Sequence, residues 1–254
     1  MTATLAFLFG LALGSFVNVV IYRLPRRMSL VRPRSLCPEC GTPIRARDNI
    51  PLLSYLLLRG RCRDCGARIE ARYPLVELAA GLLVVGIYLK VGLSPALVLY
   101  GIFALILLAI FFIDLATMLI PDRLTLPGIG IALIWHVVFD RAEMLQYLVG
   151  LLLGGGLLLI IVLVGRLVYR QEAMGLGDVK LAAMVGAFLG WRLTLISLYL
   201  SFAVGALWGL ALLMAGRAGR RSSIPFGPFI AVASIVALFW GEHLLRYVGI
   251  LLRG

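Results

Sequence analysis

The sequence predicts an all-α polytopic membrane protein with about eight transmembrane helices and a small cytosolic, zinc-ribbon-like insertion between helices 1 and 2. Of its 254 residues, 62% are hydrophobic and only 14% are charged, about half the charged fraction of a soluble domain. The mean hydropathy is +1.03. A signal peptide does not explain this composition, because apolar segments recur to the C-terminus and residues 1–22 lack a basic n-region and a clear cleavage site.

Eight apolar segments account for the predicted helices, since about 20 apolar residues cross a bilayer as a helix. They cover residues 2–22, 74–93, 95–121, 124–139, 145–165, 179–191, 193–215 and 226–250. The segments 124–139 and 179–191 are short, and the first contains Pro127 and Gly128. The run 154–156 consists of three glycines and predicts close helix packing. We therefore divide the chain into a first transmembrane helix (1–22), an insertion (23–73) and a membrane core (74–254).

The basic residues predict the orientation. If the helices alternate across the membrane, one face holds 19 of the 24 Lys and Arg residues, 12 of them in the 23–73 insertion. The positive-inside rule then places this insertion in the cytosol and both termini on the opposite side. The net charge of +12 is explained by topology and by contact with anionic membrane lipid, so nucleic acid is not an expected partner.

The insertion contains all four cysteines of the chain as two CxxC pairs separated by 21 residues. Each pair is followed by glycine, and this spacing is typical of a closed, structural zinc site formed by Cys37, Cys40, Cys62 and Cys65. The insertion is too short to bury a core of its own, so a metal ion would stabilise it. Two disulfides, which need an oxidising compartment, and four unliganded thiols are the alternatives.

Three aspartates lie within or beside apolar segments. Asp114 lies near the cytosolic end of the third predicted helix, Asp122 closes that segment, and Asp178 begins the short sixth helix. A carboxylate at such a position is costly and indicates a functional site. Asp114 and Asp178 are 64 residues apart, yet the predicted topology assigns both to the cytosolic boundary. There they could share one proton, one acting as general base on a water and the other protonating the amide nitrogen, as in aspartic proteases.

Structural roles are open for the same residues. Asp122 can cap the following helix or pair with Arg123, and Asp178 can cap its own helix and pair with Lys180. A serine protease is not predicted, because no histidine lies near the cytosolic boundary.

Taken together, these features resemble the type IV prepilin peptidases of bacterial pilus and type II secretion systems. The resemblance covers nearly the whole chain and depends on the order of its motifs. Besides the CxxC pairs, these are GSFVNVVIYRLP (14–25), NIPLLSY (49–55), LRGRC (58–62), RYPLVE (72–77), IDLATMLIPD (113–122), GLGDVK (175–180) and IPFGP (224–228).

The resemblance implies GxGD-type intramembrane aspartyl proteolysis with Asp114 and Asp178 as the catalytic pair. The supporting residues would be Asp122, Gly175, Gly177 and Lys180. The implied reaction removes the short basic leader from type IV prepilins or type II secretion pseudopilins at the cytosolic face of the bacterial inner membrane.

The resemblance also implies N-methylation of the new N-terminus by S-adenosylmethionine, associated with the 23–73 insertion. Gly60 is a candidate for this step, although a backbone turn before the second CxxC pair accounts for it equally well. The insertion is not built to attract a basic leader by net charge; Glu77 can do so locally or can pair with Arg72. The leading alternative function is a polytopic transporter with intramembrane carboxylates, which would have no need for a zinc ribbon.

Overall fold

The computed structural model describes residues 2–32, 35–169, 175–216 and 224–251. Within these residues the regular structure is helical, with two isolated β-bridges and no strand. The predicted all-α membrane fold with a cysteine-containing insertion after the first helix is confirmed. Residues 216–225, which the alternating topology assigns to the same basic face as the 23–73 insertion, lie mostly outside the described residues.

Eight α-helices follow one another in the described part of the chain. They are α1 (Ala3–Arg23), α2 (Leu53–Leu57), α3 (Arg72–Val91), α4 (Pro95–Thr117), α5 (Asp122–Phe139), α6 (Met144–Tyr169), α7 (Leu176–Met214) and α8 (Gly227–Leu251). All except the five-residue α2 are long and apolar enough to cross a membrane, which gives seven candidate spans among the described residues.

Helix α7 is two helices rather than one long span. Gly190 interrupts it with φ 74° and ψ 170°, a conformation that an α-helix does not contain. A β-carbon on Gly154 of α6 would meet both Ala182, before the interruption, and Thr194, after it. The chain therefore folds back at Gly190, and its two segments correspond to the predicted helices 179–191 and 193–215.

Residues Met1–Ala109 form one compact unit, in which α1 packs against α3. The contact uses a G-x-x-x-G pattern at Gly10 and Gly14. A β-carbon on Gly10 would lie 2.8 Å from Cα of Gly81, and one on Gly14 would lie 2.7 Å from Cα of Glu77. Small residues at this spacing let the two backbones approach closely, as in many membrane helix pairs.

Residues Ile110–Gly254 form the second unit, in which α6 and α7 make the most extensive contact. Gly150 lies against Gly186, and a β-carbon on Gly155 would lie 3.0 Å from Cβ of Ala183. The close packing predicted for 154–156 is found at Gly154 and Gly155, whereas Gly156 faces open space.

Two buried polar side chains of the second unit, Ser197 and His136, have polar side-chain partners. Ser197 and Ser234 hydroxyls lie 2.9 Å apart, and Nδ1 of the buried His136 lies 3.2 Å from Oδ2 of Asp140. The second pair joins His136 of α5 to Asp140, the residue that caps the C-terminus of this helix, at a spacing of four residues.

Candidate active site and metal centre

Asp114 lies in the last turn of α4, where the helix ends four residues earlier than predicted. Met118 takes φ 53° and donates its N–H to the Asp114 carbonyl at 2.8 Å, which is the left-handed ending common at helix C-termini. The side chain of Asp114 points inward and only 4% of the residue is exposed.

The carboxylate of Asp114 accepts a hydrogen bond from the first residue of another helix. The backbone N–H of Gly227 donates to Oδ2 of Asp114 at 3.0 Å, and Gly227 begins α8. The unpaired N–H groups and positive dipole end of a helix N-terminus favour a negative charge. A β-carbon on Gly227 would lie 2.6 Å from the same oxygen, so a larger residue here would displace the carboxylate.

Asp178 is the third residue of α7 and is 8% exposed. Its backbone N–H donates to the Gly175 carbonyl at 3.2 Å, which closes the turn that begins the helix. Asp114 lies close enough to interact electrostatically with Asp178. The structure therefore brings together the two carboxylates that the sequence separates by 64 residues. Within the described residues neither has a Lys or Arg partner.

The segment that joins α4 to α5 contains Ile120. This segment packs against the start of α7, which carries Asp178, and against the start of α8. Cβ of Ile120 would be 2.9 Å from a β-carbon on Gly177, and its Cδ1 would be 3.1 Å from one on Gly227. Glycine at both positions lets the starts of α7 and α8 lie against this side chain.

Lys180 and Asp122 form an ion pair beside the two aspartates. Nζ of Lys180 lies 2.7 Å from each carboxylate oxygen of Asp122, with both side chains partly exposed. Asp122 therefore does not pair with Arg123, and Lys180 does not pair with Asp178. No side chain caps either helix start, where the N-cap residues are Pro121 and Gly175.

The four cysteines form one cluster in the first unit. Their sulfur atoms all lie within 4.8 Å of one another, and the Cys37 and Cys65 sulfurs are 3.9 Å apart. A tetrahedral site with Zn–S bonds of 2.3 Å requires sulfur separations of about 3.8 Å, whereas a disulfide requires about 2.05 Å. The cysteines are free, so the donor set fits a metal ion and the disulfide alternative is not found.

Each CxxC pair lies in the same kind of turn. In the first, Cys37 donates its N–H to Thr42 and Gly41 donates to Cys37; in the second, Cys62 donates to Ala67 and Gly66 to Cys62. The two glycines, at φ 70° and 73°, occupy the left-handed region that such turns need.

Hydrogen bonds within the turns affect the cysteine thiols, and the Cys40 thiol lies 3.3 Å from the Thr42 hydroxyl. The Thr42 side chain lowers the pKa of the Cys40 thiol to about 6, and the backbone N–H groups of Cys65 and Asp64 lower the pKa of Cys62. At Cys65 the backbone of Ala67 lowers the pKa, but burial and the three neighbouring thiols raise it to about 12. Metal binding requires thiolates, so the contacts at Cys40 and Cys62 favour the ligand form of these two residues.

Gly60 lies just before the second turn with φ 67°. A β-carbon there would lie 3.0 Å from the hydroxyl of Tyr55, and the Gly60 carbonyl accepts from Ile69. Backbone geometry thus explains a glycine at this position without a role in chemistry.

Glu77 does not pair with Arg72, which lies 3.3 Å from Glu70 instead. Oε2 of Glu77 accepts the N–H of Leu52 at 2.9 Å, and the Ser15 side chain also hydrogen-bonds to this carboxylate.

Two residues of the candidate active site were not identified from the sequence. Gly227 lies in the IPFGP motif and Ile120 in IDLATMLIPD, so the motifs marked the right segments. Their contacts with Asp114 and Gly177 join residues more than 50 positions apart, and no local pattern predicts such contacts.

Residues 8–91 match the bacterial peptidase A24 N-terminal domain, and residues 101–210 match the type IV leader peptidase family. A prepilin leader peptidase/N-methyltransferase of Aeromonas salmonicida (strain A449) is 40% identical, over 96% of this chain and 92% of the relative. Proteins of the same description from Pseudomonas putida and Burkholderia pseudomallei (strain K96243) are each 38% identical, over 95% and 98% of this chain and 91% and 89% of the relative. No solved structure matches the chain at a significant level.

Proposed function

Because this chain belongs to the prepilin leader peptidase/N-methyltransferase family, we propose that it removes the basic leader from type IV prepilins or type II secretion pseudopilins and methylates the new N-terminus. It is a multi-pass bacterial membrane protein. The inner membrane is the proposed location, with the 23–73 insertion and the catalytic face in the cytosol, because the basic residues concentrate on that side.

The observation that carries the protease proposal is the pair of buried, interacting carboxylates, Asp114 and Asp178. Like charges this close cannot both ionise easily, so one proton is shared between them. The Gly227 N–H supports the anion on Asp114. Asp114 is therefore the proposed base that takes a proton from water as its oxygen attacks the scissile carbonyl carbon. Asp178 then gives its proton to the leaving nitrogen.

The supporting residues have separate proposed roles. Lys180 and Asp122 hold the starts of α7 and α5 together through their ion pair. Gly175 and Gly177 shape the turn that carries Asp178.

Methyl transfer is proposed to involve the 23–73 insertion, with S-adenosylmethionine supplying the methyl group when bound and Gly60 shaping the backbone nearby. The four-cysteine cluster is the proposed site of a structural zinc ion, since its sulfur spacing fits tetrahedral coordination. The comparisons do not support the transporter alternative, because the relatives are described as prepilin leader peptidase/N-methyltransferases.

The test uses purified protein in detergent or liposomes and a precursor with a basic leader followed by an apolar helix. The wild-type protein should shorten the precursor on a gel and transfer labelled methyl groups to the product. Asp114→Asn and Asp178→Asn should each abolish cleavage, because either change removes the shared proton arrangement. Asp140→Asn, an aspartate paired with His136, is the matched control and should cleave normally. Substantial cleavage by Asp114→Asn or Asp178→Asn would refute the proposal that these two residues are the catalytic pair.

A further inference from the structure

Glu77 is a half-buried carboxylate for which the proteolytic mechanism has no use. It is the sixth residue of α3 and lies in a segment apolar enough to cross a membrane. Its backbone is fixed against α1, since a β-carbon on Gly14 would lie 2.7 Å from Cα of Glu77. Carboxylates in such segments are costly and by default indicate function.

The carboxylate of Glu77 has polar contacts but no cationic partner among the described residues. It accepts the Leu52 N–H at 2.9 Å and a hydrogen bond from the Ser15 side chain. Three of the four other carboxylates of this unit have such partners, Asp48 with Arg63, Asp64 with Arg45, and Glu70 with Arg72, whereas Glu39 has none among the described residues. Because a carboxylate offers about four acceptor positions, Glu77 retains capacity for further donors.

A second acceptor lies one helical turn away on the same α1–α3 contact. Asn18 is 4% exposed and donates from Nδ2 to the Tyr73 carbonyl at 3.0 Å, while its Oδ1 is buried with no partner. Tyr73 precedes Glu77 by four residues, a rise of about 6 Å. Helical side chains lean toward the N-terminus of their helix, so Glu77 leans toward the level of Asn18. A buried side-chain amide oxygen without a hydrogen-bond donor, such as Oδ1 of Asn18, is rare and needs an explanation.

A cleft of about 340 Å³ lies next to this contact: Glu77 and Asn18 are not part of its wall, but Ser15 and Val19 are. Its lining includes Ser15, which binds the Glu77 carboxylate, and Pro51, which precedes Leu52. Phe16, Val19 and Asn49 complete most of the wall. The cleft therefore has a mostly apolar wall that reaches Ser15, a hydrogen-bond partner of Glu77.

We propose that Glu77 and Asn18 form a binding subsite for the α-ammonium group of the trimmed substrate, the group that accepts the methyl. The inference rests on the proposed methyl transfer and names the residues that hold its acceptor. An ammonium group carries three N–H donors, which match a carboxylate that lacks a cation and an amide oxygen that lacks a donor.

The same contact supplies the proton step that methylation needs. The ammonium group gives one proton to the Glu77 carboxylate and becomes a neutral amine with a free lone pair. That nitrogen attacks the methyl carbon of the sulfonium donor, and the C–S bond breaks with its electron pair remaining on sulfur. The products are a methylated ammonium group, a neutral thioether and a protonated Glu77, which returns its proton to water.

The primary test measures binding without any methyl donor. The probe is a synthetic peptide with a free N-terminal amine followed by the apolar helix of a pilin-like protein, compared with the same peptide acetylated at the N-terminus. Wild-type protein should bind the free amine at least 10-fold more tightly. Glu77→Gln should lose this preference, although its amide oxygen can still accept the Leu52 N–H. Glu70→Gln, an exposed glutamate of the same unit, is the control and should keep it.

Two further measurements make the result decisive. Asn18→Ala should weaken binding of the free amine about 5-fold and leave the acetylated peptide unchanged, so the proposal can be tested even if Glu77→Gln does not fold. Leader cleavage should stay within about 3-fold of wild type in both variants. Equal binding of both peptides by wild type, or a preference retained in Glu77→Gln, overturns the proposal. Loss of cleavage with an unchanged peptide preference also overturns it, because Glu77 would then act on the basic leader. Failure of the wild type to shorten the precursor or methylate its product would instead refute the proposed function.

Discussion

Replacing Gly227 with alanine tests the contact between the start of α8 and the carboxylate of Asp114. The added methyl group would lie 2.6 Å from Oδ2 of Asp114 and 3.1 Å from Cδ1 of Ile120. Both are ends of side chains, so the protein can fold by moving them. The carboxylate would then leave the position in which it accepts the Gly227 N–H at 3.0 Å.

The size of the effect follows from the hydrogen bond that is lost. A hydrogen bond to a charged group contributes about 1.5–3 kcal/mol. Since each 1.36 kcal/mol changes a rate tenfold, Gly227→Ala should lower kcat for leader cleavage by about 10- to 150-fold. KM should change little, because the lost interaction supports the attacking base rather than substrate binding.

The assay compares initial rates of precursor cleavage at several substrate concentrations, with thermal unfolding measured on the same samples. Gly156→Ala is the matched control, because a β-carbon at Gly156 meets no atom within 4 Å. It should cleave at the wild-type rate. A Gly227→Ala protein that is folded and also cleaves at the wild-type rate would show that this hydrogen bond does not support catalysis.

Three more predictions concern the metal, the ion pair and the insertion. Freshly purified, reductant-treated protein should contain about one zinc ion per chain by mass spectrometry, and Cys37→Ser combined with Cys62→Ser should remove it; metal-free wild type would contradict this. Asp122→Lys and Lys180→Asp should each slow cleavage a few-fold, since an exposed ion pair contributes about 0.2–1 kcal/mol, and the double exchange should restore the rate; single variants with normal rates would exclude a role for the pair. Gly60→Ala should reduce methyl transfer more than cleavage when both are assayed on one preparation, and proportional loss of both would refute separate sites.

The fold was largely predictable because hydrophobic length alone distinguishes membrane helices from other segments. The differences lie at helix ends. The helix predicted at 95–121 ends at Thr117 because Met118 adopts a positive φ, and nothing in the residue type requires that conformation. Pro127, expected to interrupt a short helix, lies inside the continuous α5.

Within the candidate site, the spacing of residues along α7 explains why Asp178 and Lys180 do not form the ion pair that the sequence left open. Asp178 and Lys180 are two residues apart and so point to different sides of α7, which leaves Lys180 free to reach Asp122. That partner lies 58 residues away, and only the packing of α5 against α7 brings them together. The catalytic roles of Asp114 and Asp178 stay a prediction until the substitutions are made.

The interruption at Gly190 also bears on how the lipid fits around the protein. The 14 residues from Leu176 to Leu189 rise only about 21 Å, against a hydrocarbon thickness of about 30 Å. A helix this short creates a hydrophobic mismatch, and lipid adjusts to it by thinning locally. Asp178 lies at the start of this short segment. We therefore expect the bilayer to be thinner beside it, with the water–lipid boundary closer to the two carboxylates. Hydrolytic water could then reach a buried site without a channel through the protein.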